Sequence, residues 1–465
     1  MWSELHTRKG EQYLKTLLKR AGKSPLDVVL YPDEPDTITT ILLPKFQQIK
    51  HLRLKFNWHE VFALSQTSSG PLPNLHSLEI TQMAGSLTHH PWTPPATLKF
   101  FEGATNLAQF TFRSRRLDLL ERFVFPNLST FELSNYVETS GSDFSALLTF
   151  LGASPMLGSV KVDFGRKVEL AGVPQGNIVT LPNVKTLSFS LAHGPAVYGI
   201  EAHILCPGAR YVSLNNVDYF RNVTPGSELF PAPTSWGIIL QHCTSPAKEV
   251  TIEINGSYGK STACSLTFLF MDETTIELGF TALFASGSGG TITHPEQMAC
   301  KLLLDACRSI QDYPGPTDIK HLHIKCEVVI GDPCYVSKVV EELGRLASHL
   351  EPLDKLTLHG CVLHVCLLLP PCHQGFSDPQ KAIPFPQTQE LTISNPLMSE
   401  NDEGDPKWLD GIVERAKLQH DRGIPFKRVV VCAGVIPDLL FEKLDMWVHS
   451  VDCSEKEEYR WEQDF

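Results

Sequence analysis

A short spacing recurs along this chain and constrains its fold more than any other feature. The pattern is apolar-x-x-apolar-x-apolar with a proline or loop just before it, and LPNLHSLEI at 72–80 shows it most clearly. Close copies are FPNLSTFEL at 125–133 and LPNVKTLSF at 181–189, and looser copies are SPMLGSVKV at 154–162 and CPGARYVSL at 206–214. One such strand cannot bury its apolar face, whereas a stack of strands can.

The spacing has a direct physical interpretation. In an extended segment alternate side chains share a face, so Leu78 and Ile80 point to one side and Glu79 to the other. Pro73 suits the position before the strand because it donates no backbone hydrogen bond and fixes its own φ. Leu75, the first apolar residue of the spacing, is predicted to fill the space between adjacent coils. We call the residue at this position of each copy the anchor.

The anchors define a repeat. They are Ile49, Leu75, Leu107, Leu128, Leu157, Val184, Ala209, Ala247, Ile319, Leu353, Thr388 and Phe426. Neighbouring anchors lie 21 to 38 residues apart except after Ala247, where we predict one degenerate copy around Thr275 to Leu278. These periods overlap the range of about 20 to 29 residues typical of leucine-rich repeats. The predicted fold is α/β, an irregular leucine-rich-repeat solenoid with short parallel strands on the concave face and helices or loops outside.

One departure from the regular repeat predicts irregular curvature. The asparagine expected three residues after the last apolar position is replaced by Met83 and Tyr136, and Asn135, Asn216 and Asn395 come one residue early. We therefore do not expect a regular internal asparagine ladder.

Helical patterns between the strands complete the prediction. They cover Glu11 to Ala21, Ser142 to Gly152, a segment from Pro295, Val336 to Leu350 and a segment after Asp405-Pro406. Alternation of this kind requires a parallel sheet with helices behind it. We divide the chain into an N-terminal cap helix and first strand at 1–30, N-terminal repeats at 31–290, C-terminal repeats and cap at 291–453, and an acidic tail at 454–465.

Charge and composition exclude several function classes. A formal net charge of −12 argues against a nucleic-acid binder, because neutralising phosphates needs clustered Lys and Arg. One interpretation of the short basic stretch at Arg113 to Arg116 is a loop that contacts an acidic partner. No secretory signal or membrane-spanning run is visible, so a cytoplasmic or nuclear location and no membrane contact are expected. All twelve cysteines lie at or after Cys206, and we interpret them as small buried hydrophobes.

No motif predicts catalysis, a metal or a cofactor. Gly259-Lys260-Ser261-Thr262 resembles the end of a phosphate loop, but Ile254 stands where the first glycine is needed, so we predict a hairpin. Cys361, Cys366, Cys372 and His373 lack the spacing of zinc ligands and suit a buried strand, and we interpret His89-His90 as part of a loop.

One ordered set of motifs runs from the start of the chain to its late part. It consists of Trp2, Ser3 and Leu5, then Ser24, Pro25, Leu26, Val28 and Leu30, and late in the chain Trp408-Leu409, Gly423-Ile424-Pro425 and Val429 to Val431. This order of features resembles the region just after the F-box in fungal F-box/leucine-rich-repeat proteins, especially those of mushrooms. The resemblance implies substrate recognition for a cullin ubiquitin ligase. The F-box, which binds the Skp-type adaptor in that family, would precede Trp2, so we expect adaptor binding only if an upstream F-box exists.

The predicted function is protein binding without catalysis. Exposed positions beside the core residues would form the surface for an unknown protein partner, and the candidates are His76, Ser129, Lys161, Ser188 and Ser213. A stand-alone repeat scaffold with no ligase link, a self-associating scaffold and an α/β enzyme are the alternatives. The sequence contains no G-x-S-x-G, H-E-x-x-H or full phosphate-loop motif to support the enzyme.

Overall fold

The computed structural model forms two compact units, Met1–Asn216 (unit 1) and Val217–Phe465 (unit 2). The residues it describes are 4–31, 42–56, 72–83, 101, 104–135, 139–165, 178–192, 203–219, 245–257, 261–283, 295–313, 317–328, 333–350, 353–360, 385, 387–394, 407–432 and 438–453. Both units are α/β, and most of their strand pairs are parallel. None of the described helices is both long and apolar enough to cross a membrane.

Unit 1 is built around parallel strands. They are β1 Leu5–His6, β2 Leu26–Leu30, β3 Ile49–Phe56, β4 Ser77–Gln82, β5 Gln109–Arg113, β6 Thr130–Asn135, β7 Ser159–Phe164, β8 Val179–Thr180, β9 Thr186–Ala192, β10 Ile204–Leu205 and β11 Tyr211–Tyr219. Each strand from β1 to β7 pairs with the next, β7 pairs with β9, and β11 also pairs with β9. The short strands β8 and β10 pair with each other. The strand copies predicted from the spacing are therefore confirmed.

The anchor prediction is confirmed along both units. All twelve anchors are at most 5 % exposed. Within the strands the exposure alternates, so that Leu78 and Ile80 are buried while Glu79 faces outward. At about 25 cal/mol per Å² of apolar surface, stacking these side chains coil on coil is the main stabilising contribution.

Consecutive coils are also joined by backbone hydrogen bonds where the strands begin. The carbonyl of His76 accepts from Ala108 N at 2.9 Å and from Gln109 N at 3.0 Å, and that of Ser129 accepts from Gly158 N at 2.7 Å and Ser159 N at 3.0 Å. Each of these carbonyls thus serves two successive N–H groups of the next coil, which fixes the parallel register.

An asparagine ladder exists outside the strands, at a position the sequence analysis did not assign to it. The asparagine directly before the anchor donates its amide to a backbone carbonyl one coil earlier. The Nδ2–O pairs are Asn74 to Gln47 at 2.6 Å, Asn106 to Pro73 at 2.6 Å, Asn127 to Thr105 at 2.7 Å and Asn183 to Pro155 at 2.9 Å. Met156 occupies the ladder position between Asn127 and Asn183 and interrupts it.

Phenylalanines fill the middle of unit 1. Phe110 lies 5.2 Å from Phe125, 5.3 Å from Phe123 and 5.8 Å from Phe131, measured between ring centroids. Phe150 packs on Phe131 at 4.7 Å. Phe150 comes from helix α2, Gly141–Gly152, so this cluster fastens the helix to the buried side of the sheet.

The two helices of unit 1 confirm the predicted ones, with α1 at Glu11–Ala21 and α2 one residue earlier than predicted. Ser140 caps α2, because its side chain accepts from Asp143 N while Asp143 accepts from Ser140 N. This Ser-x-x-acid capping box was visible in the sequence and sets the helix start.

Unit 2 begins with an antiparallel meander and continues as parallel repeats. Its strands are β12 Ala247–Ser257, β13 Ser261–Phe270, β14 Thr275–Leu283, β15 Thr317–Cys326, β16 Lys355–His359, β17 Glu390–Ser394, β18 Arg428–Cys432 and β19 Val451–Cys453. Its helices are α3 Pro295–Gln311, α4 Pro333–His349, α5 Lys407–Asp421 and α6 Asp438–Asp445. β12 pairs with β13 and β13 with β14 antiparallel, whereas β12, β15, β16, β17, β18 and β19 pair in that order in parallel.

The meander confirms one prediction and corrects another. Ser257 pairs with Ser261 in an antiparallel hairpin, and Ser261 and Thr262 begin β13, so a strand follows where a phosphate loop would have a helix. The predicted degenerate repeat copy at Thr275 to Leu278 is wrong. That segment belongs to β14, which runs antiparallel to β13 and cannot be a coil of the parallel stack.

Two further differences concern boundaries. The first strand predicted within 1–30 is β2 at Leu26–Leu30, and the two-residue strand β1 that precedes α1 was not predicted. The compact units divide after Asn216, which lies within β11. The boundary predicted near residue 290 lies outside the described residues, as does the acidic tail, and the proposed repeat and cap segments stay predictions.

Gly360→Ala should destabilise the protein sharply. Gly360 has φ +99°, and a Cβ built there would lie 1.9 Å from the Cys326 carbonyl oxygen. Strain of this kind costs on the order of 2 kcal/mol or more. Gly344→Ala in α4 is the matched control, because a Cβ there meets nothing within 4 Å and should stabilise by about 0.5 kcal/mol or more. Equal denaturation midpoints for the two variants would contradict the assignment.

Met156→Asn should extend the asparagine ladder. By analogy with Asn127 and Asn183, the new amide would donate to the carbonyl of Pro126, and one such bond is worth about 1 kcal/mol. Met156 is 54 % exposed, so little apolar burial is lost. Met156→Gln carries the same amide one methylene farther out and serves as control. Chemical denaturation that ranks Asn no higher than Gln would refute the ladder geometry.

Candidate interaction surface

The open face of unit 1, opposite its buried side chains, carries three rows of residues in register. The first row is Asp27, His51, Ser77, Gln109, Thr130, Ser159 and Thr186. The middle row is Arg53, Glu79, Thr111, Glu132, Lys161 and Ser188. The third row is Lys55, Thr81, Arg113, Ser134, Asp163 and Ser190. Neighbouring members of a row lie about 4.8 Å apart along the hydrogen-bonding direction.

Ion pairs connect the charged part of this face. Arg53 contacts Glu4 at 2.8 Å and Glu79 at 3.3 Å, and Glu79 also lies 3.7 Å from Arg113. Farther along the row, Lys161 lies 3.8 Å from Glu132. Exposed pairs of this kind add little stability, but they restrict the orientation of long side chains and so preorganise the surface.

The charged part gives way to a hydroxyl-rich part at β7. Beyond Lys161 the described open-face positions on β9 are Thr186, Ser188 and Ser190, and Ser213 follows on β11. Burial raises the pKa of Asp163 above its usual value, Lys161 opposes the rise and Glu132 adds to it. Asp163 is therefore a weaker acid than a solvent-exposed aspartate.

The structure brings only some of the predicted contact residues together. Lys161 and Ser188 are direct register partners, and Ser213 lies on β11, which neighbours the strand of Ser188. His76 and Ser129 instead precede β4 and β6, at the edge where strands begin, and Ser129 Oγ donates to the Ala108 carbonyl at 2.9 Å. Whether any of the five contacts a partner stays a prediction.

Sequence reasoning missed the other charged members of the middle row, although their signal was present. Lys161, Ser188 and Ser213 each lie four residues after an anchor. The same offset gives Arg53, Glu79 and Glu132. It marks the middle row throughout, because the fourth residue after the anchor stands between the buried third and fifth residues, and side chains alternate between the two faces of a strand.

The basic stretch at 113–116 is largely used within the chain. Arg113 approaches Glu79, and Arg116 forms a bidentate pair with Asp118, Nε–Oδ1 at 3.2 Å and Nη2–Oδ2 at 2.7 Å. That hydrogen bond is the main reason why the pKa of Arg116 is raised. Contact with an acidic partner is therefore not needed to explain these arginines.

The open face of unit 2 has a compact polar cluster. Lys325 Nζ lies 2.6 Å from Glu253 Oε1 and 3.4 Å from Glu327, and Asn255 Nδ2 donates to Glu253 Oε1 at 3.1 Å. Next to Lys325 in register, His359 Nδ1 is 2.8 Å from Ser394 Oγ. A His–Ser pair alone does not make a catalytic site, because no described acceptor orients the far ring nitrogen.

Burial and neighbours shift the pKa values in this cluster. Desolvation lowers the pKa of both His323 and His359 below 6.5. The next largest cause is His359 for the pKa of His323, and Lys325 for the pKa of His359. Desolvation works against the charged form of Glu253, but hydrogen bonds from Lys325 and Asn255 overcome it and lower its pKa. At neutral pH both imidazoles are therefore uncharged beside a charged Lys–Glu pair.

A cavity of about 330 Å³ lies at the α1 side of unit 1. Its lining combines apolar residues of α1 and β2 with Asp27, Lys50 and His51. His51 Nε2 is 3.9 Å from Asp27 Oδ1, but desolvation outweighs that carboxylate and lowers the pKa of His51.

The described residues contain no group of three His, Cys, Asp or Glu side chains placed to hold a metal. Cys361, Cys366, Cys372, His373, His89 and His90 lie outside them. Five described cysteines are buried, as predicted: Cys206, Cys264, Cys300, Cys307 and Cys326. Desolvation raises the pKa of Cys206 to about 12 and of Cys300 to about 11, so these thiols are protonated and poor nucleophiles.

His323→Gln/His359→Gln should flatten the pH dependence of stability. The folded-state pKa of each histidine is depressed, so the unfolded chain binds more protons and stability is lost as pH falls through 6.5. The groups around them are Glu249, Glu253, Glu327, His321 and Lys325. Denaturation midpoints at pH 7.5 and 5.5 should differ less for the double variant than for the wild type. His349→Gln on α4 is the control, and a double variant with the wild-type slope would exclude this linkage.

Comparisons with known proteins leave the family open. No protein-family model and no curated protein matches the chain. InlP of Listeria monocytogenes, a solved structure, aligns over 60 % of this chain and 96 % of its own with 11 % identity and a TM-score of 0.20. A likeness at that TM-score carries no argument, so the fold rests on the strand pairing described above. The resemblance to F-box/leucine-rich-repeat proteins gains no support from these comparisons.

Proposed function

We propose that this chain is a non-catalytic protein-interaction scaffold that contacts its partner through the open face of unit 1. The observation that supports this proposal is the middle row, in which one side chain per coil faces outward in unbroken register from Arg53 to Ser188. A row held on rigid strands presents its side chains at fixed intervals, and extended surfaces of this kind are how repeat proteins bind.

The junction between Lys161 and Ser188 is the centre of the proposed contact. The Lys161 side chain is 64 % exposed, so its ammonium can pair with a partner carboxylate despite the nearby Glu132. Ser188 and Ser213 add hydroxyls that both donate and accept. Charge would accelerate association and select orientation, while the hydroxyl-rich part would supply directional hydrogen bonds.

The proposal places the scaffold in the cytosol or nucleus. Its support is the burial of Cys206, Cys264, Cys300, Cys307 and Cys326 as small side chains of the core, a use of cysteine that suits a compartment that keeps thiols reduced. The sequence resemblance supports a narrower role, substrate recognition for a cullin ubiquitin ligase. Leu26, Val28 and Leu30 of that resemblance are buried in β2, where they serve the core. A Skp-type adaptor would need an upstream F-box, and a stand-alone scaffold is the alternative.

The test is affinity purification from the native cell followed by direct binding. The chain and a version extended into the upstream reading frame would be used as bait, and a captured protein would be made recombinantly for titration. Lys161→Glu/Ser188→Arg should weaken its binding at least about tenfold, as expected for the loss of a central contact worth ~1.4 kcal/mol or more. Lys19→Glu/Thr149→Arg is the control, because it makes the same charge changes at exposed positions of α1 and α2, and its affinity should stay that of the wild type.

The outcomes separate the two levels of the proposal. Equal affinities for both double variants would refute the open face of unit 1 as the contact. Capture of adaptor and cullin subunits by the extended bait alone would support the ligase role. Capture of one common partner by both baits, without those subunits, would reject that role and leave the stand-alone scaffold.

A further inference from the structure

The middle row of unit 2 differs in kind from that of unit 1. Four residues after each anchor, unit 2 has Thr251, His323, Thr357, Thr392 and Val430. These residues are register partners on consecutive parallel strands, and Thr267 on β13 continues the row. All are half-buried, and with His323 neutral these six positions carry no charge. Glu277 on β14 and Asp452 on β19 are the charged register partners at the two ends of the row. Threonine and valine are stiff at χ1, so little side-chain entropy is lost when a partner covers them.

Charges lie around this row and are unevenly distributed. On β12 to β15 and the residue after β15, the open face has Glu249, Glu253, Glu277 and Glu327 against Lys325. On β16 to β19 it has Lys355, Glu390, Arg428 and Asp452, which balance. The β12–β15 part is therefore negative, whereas the β16–β19 part is neutral.

Contacts within the face occupy some of these charges. Lys325 contacts both Glu253 and Glu327. Lys248 on β12 pairs with Glu273, and Lys320 on β15 pairs with Asp318, so the part as a whole stays negative. Arg428 pairs with Asp452 at the neutral end. Side-chain exposures of 24 % for Lys325, 36 % for Glu249 and 50 % for Arg428 place these groups at the solvent boundary, where a partner can reach them.

We infer that the open face of unit 2 is a docking surface for an extended protein segment that is basic at one end and uncharged at the other. Its Lys or Arg side chains would meet the carboxylates of β12 to β15. Its uncharged residues would lie along Thr357, Thr392 and Val430, where an unpaired charge would be desolvated without compensation. Eight strands at about 4.8 Å spacing span roughly 34 Å, the length of about ten extended residues.

This inference extends the proposed function, because it takes the chain as a protein-binding scaffold, but it concerns a second surface with a different preference. Unit 1 offers alternating charges and a lysine at its centre, whereas unit 2 offers a neutral centre and a negative end. The two surfaces can be tested separately because no residue belongs to both.

The experiment measures binding of a labelled peptide to the full chain by fluorescence anisotropy. The probe has twelve residues, alternating Ser and Lys in the first half and Ser and Thr in the second. The matched probe has Glu in place of Lys. Glu249→Gln/Glu277→Gln changes the negative end of the face, and Glu414→Gln/Glu442→Gln removes the same charge from exposed positions on α5 and α6.

We expect the Lys probe to bind at least about fivefold more weakly to the face variant and to change less than about twofold with the helix variant. Lys161→Glu/Ser188→Arg should leave its affinity unchanged, which separates this surface from the one proposed for unit 1. Equal weakening by both Glu→Gln pairs would show attraction to net charge only and overturn the inference. Equal affinity for the Glu probe would also overturn the inference. So would the absence of binding of the Lys probe at concentrations up to about 1 mM, which is roughly the dissociation constant of the weakest specific contacts.

Discussion

Register between parallel strands is the constraint on which the rest of this structure depends. A slip of one residue would exchange the two faces of a strand, placing Glu79 in the core and Leu78 in water. The anchors prevent this, because a side chain such as Leu75 is fully buried at a fixed distance before its strand. The His76 carbonyl accepts hydrogen bonds from two successive N–H groups of the next coil, and these bonds hold the register at the same place.

Because the anchors and backbone hydrogen bonds fix the register, the residues on the opposite face can vary. The residue four positions after the anchor is always outward, whether it is Arg53 and Glu79 in unit 1 or Thr357 and Thr392 in unit 2. One scaffold therefore carries two surfaces with different chemistry, one with paired charges and one with a neutral row. Because exposed polar side chains contribute little to stability, these positions can serve binding at small structural cost.

Irregular positions show where the repeat alone is not enough. β14 turns back on β13, so its apolar alternation satisfies an antiparallel pairing although its sequence looks like another coil. Gly360 is required where the chain passes against the Cys326 carbonyl, and Met156 interrupts the asparagine ladder. Local periodicity reports which face of a strand is buried, but the identity and direction of the neighbouring strand depend on distant residues.

The sequence by itself determined the strands that follow the anchors, the twelve buried anchors, the main helices and the glycine hairpin, because these follow from local alternation, capping and turn chemistry. It also indicated Lys161 and Ser188 as outward residues. Only the tertiary structure decided that these two are neighbours while His76 and Ser129 lie at the edge of the face. It alone brought Glu253, Lys325 and His359 together from three strands, because side-chain clusters arise from register between segments far apart in the chain.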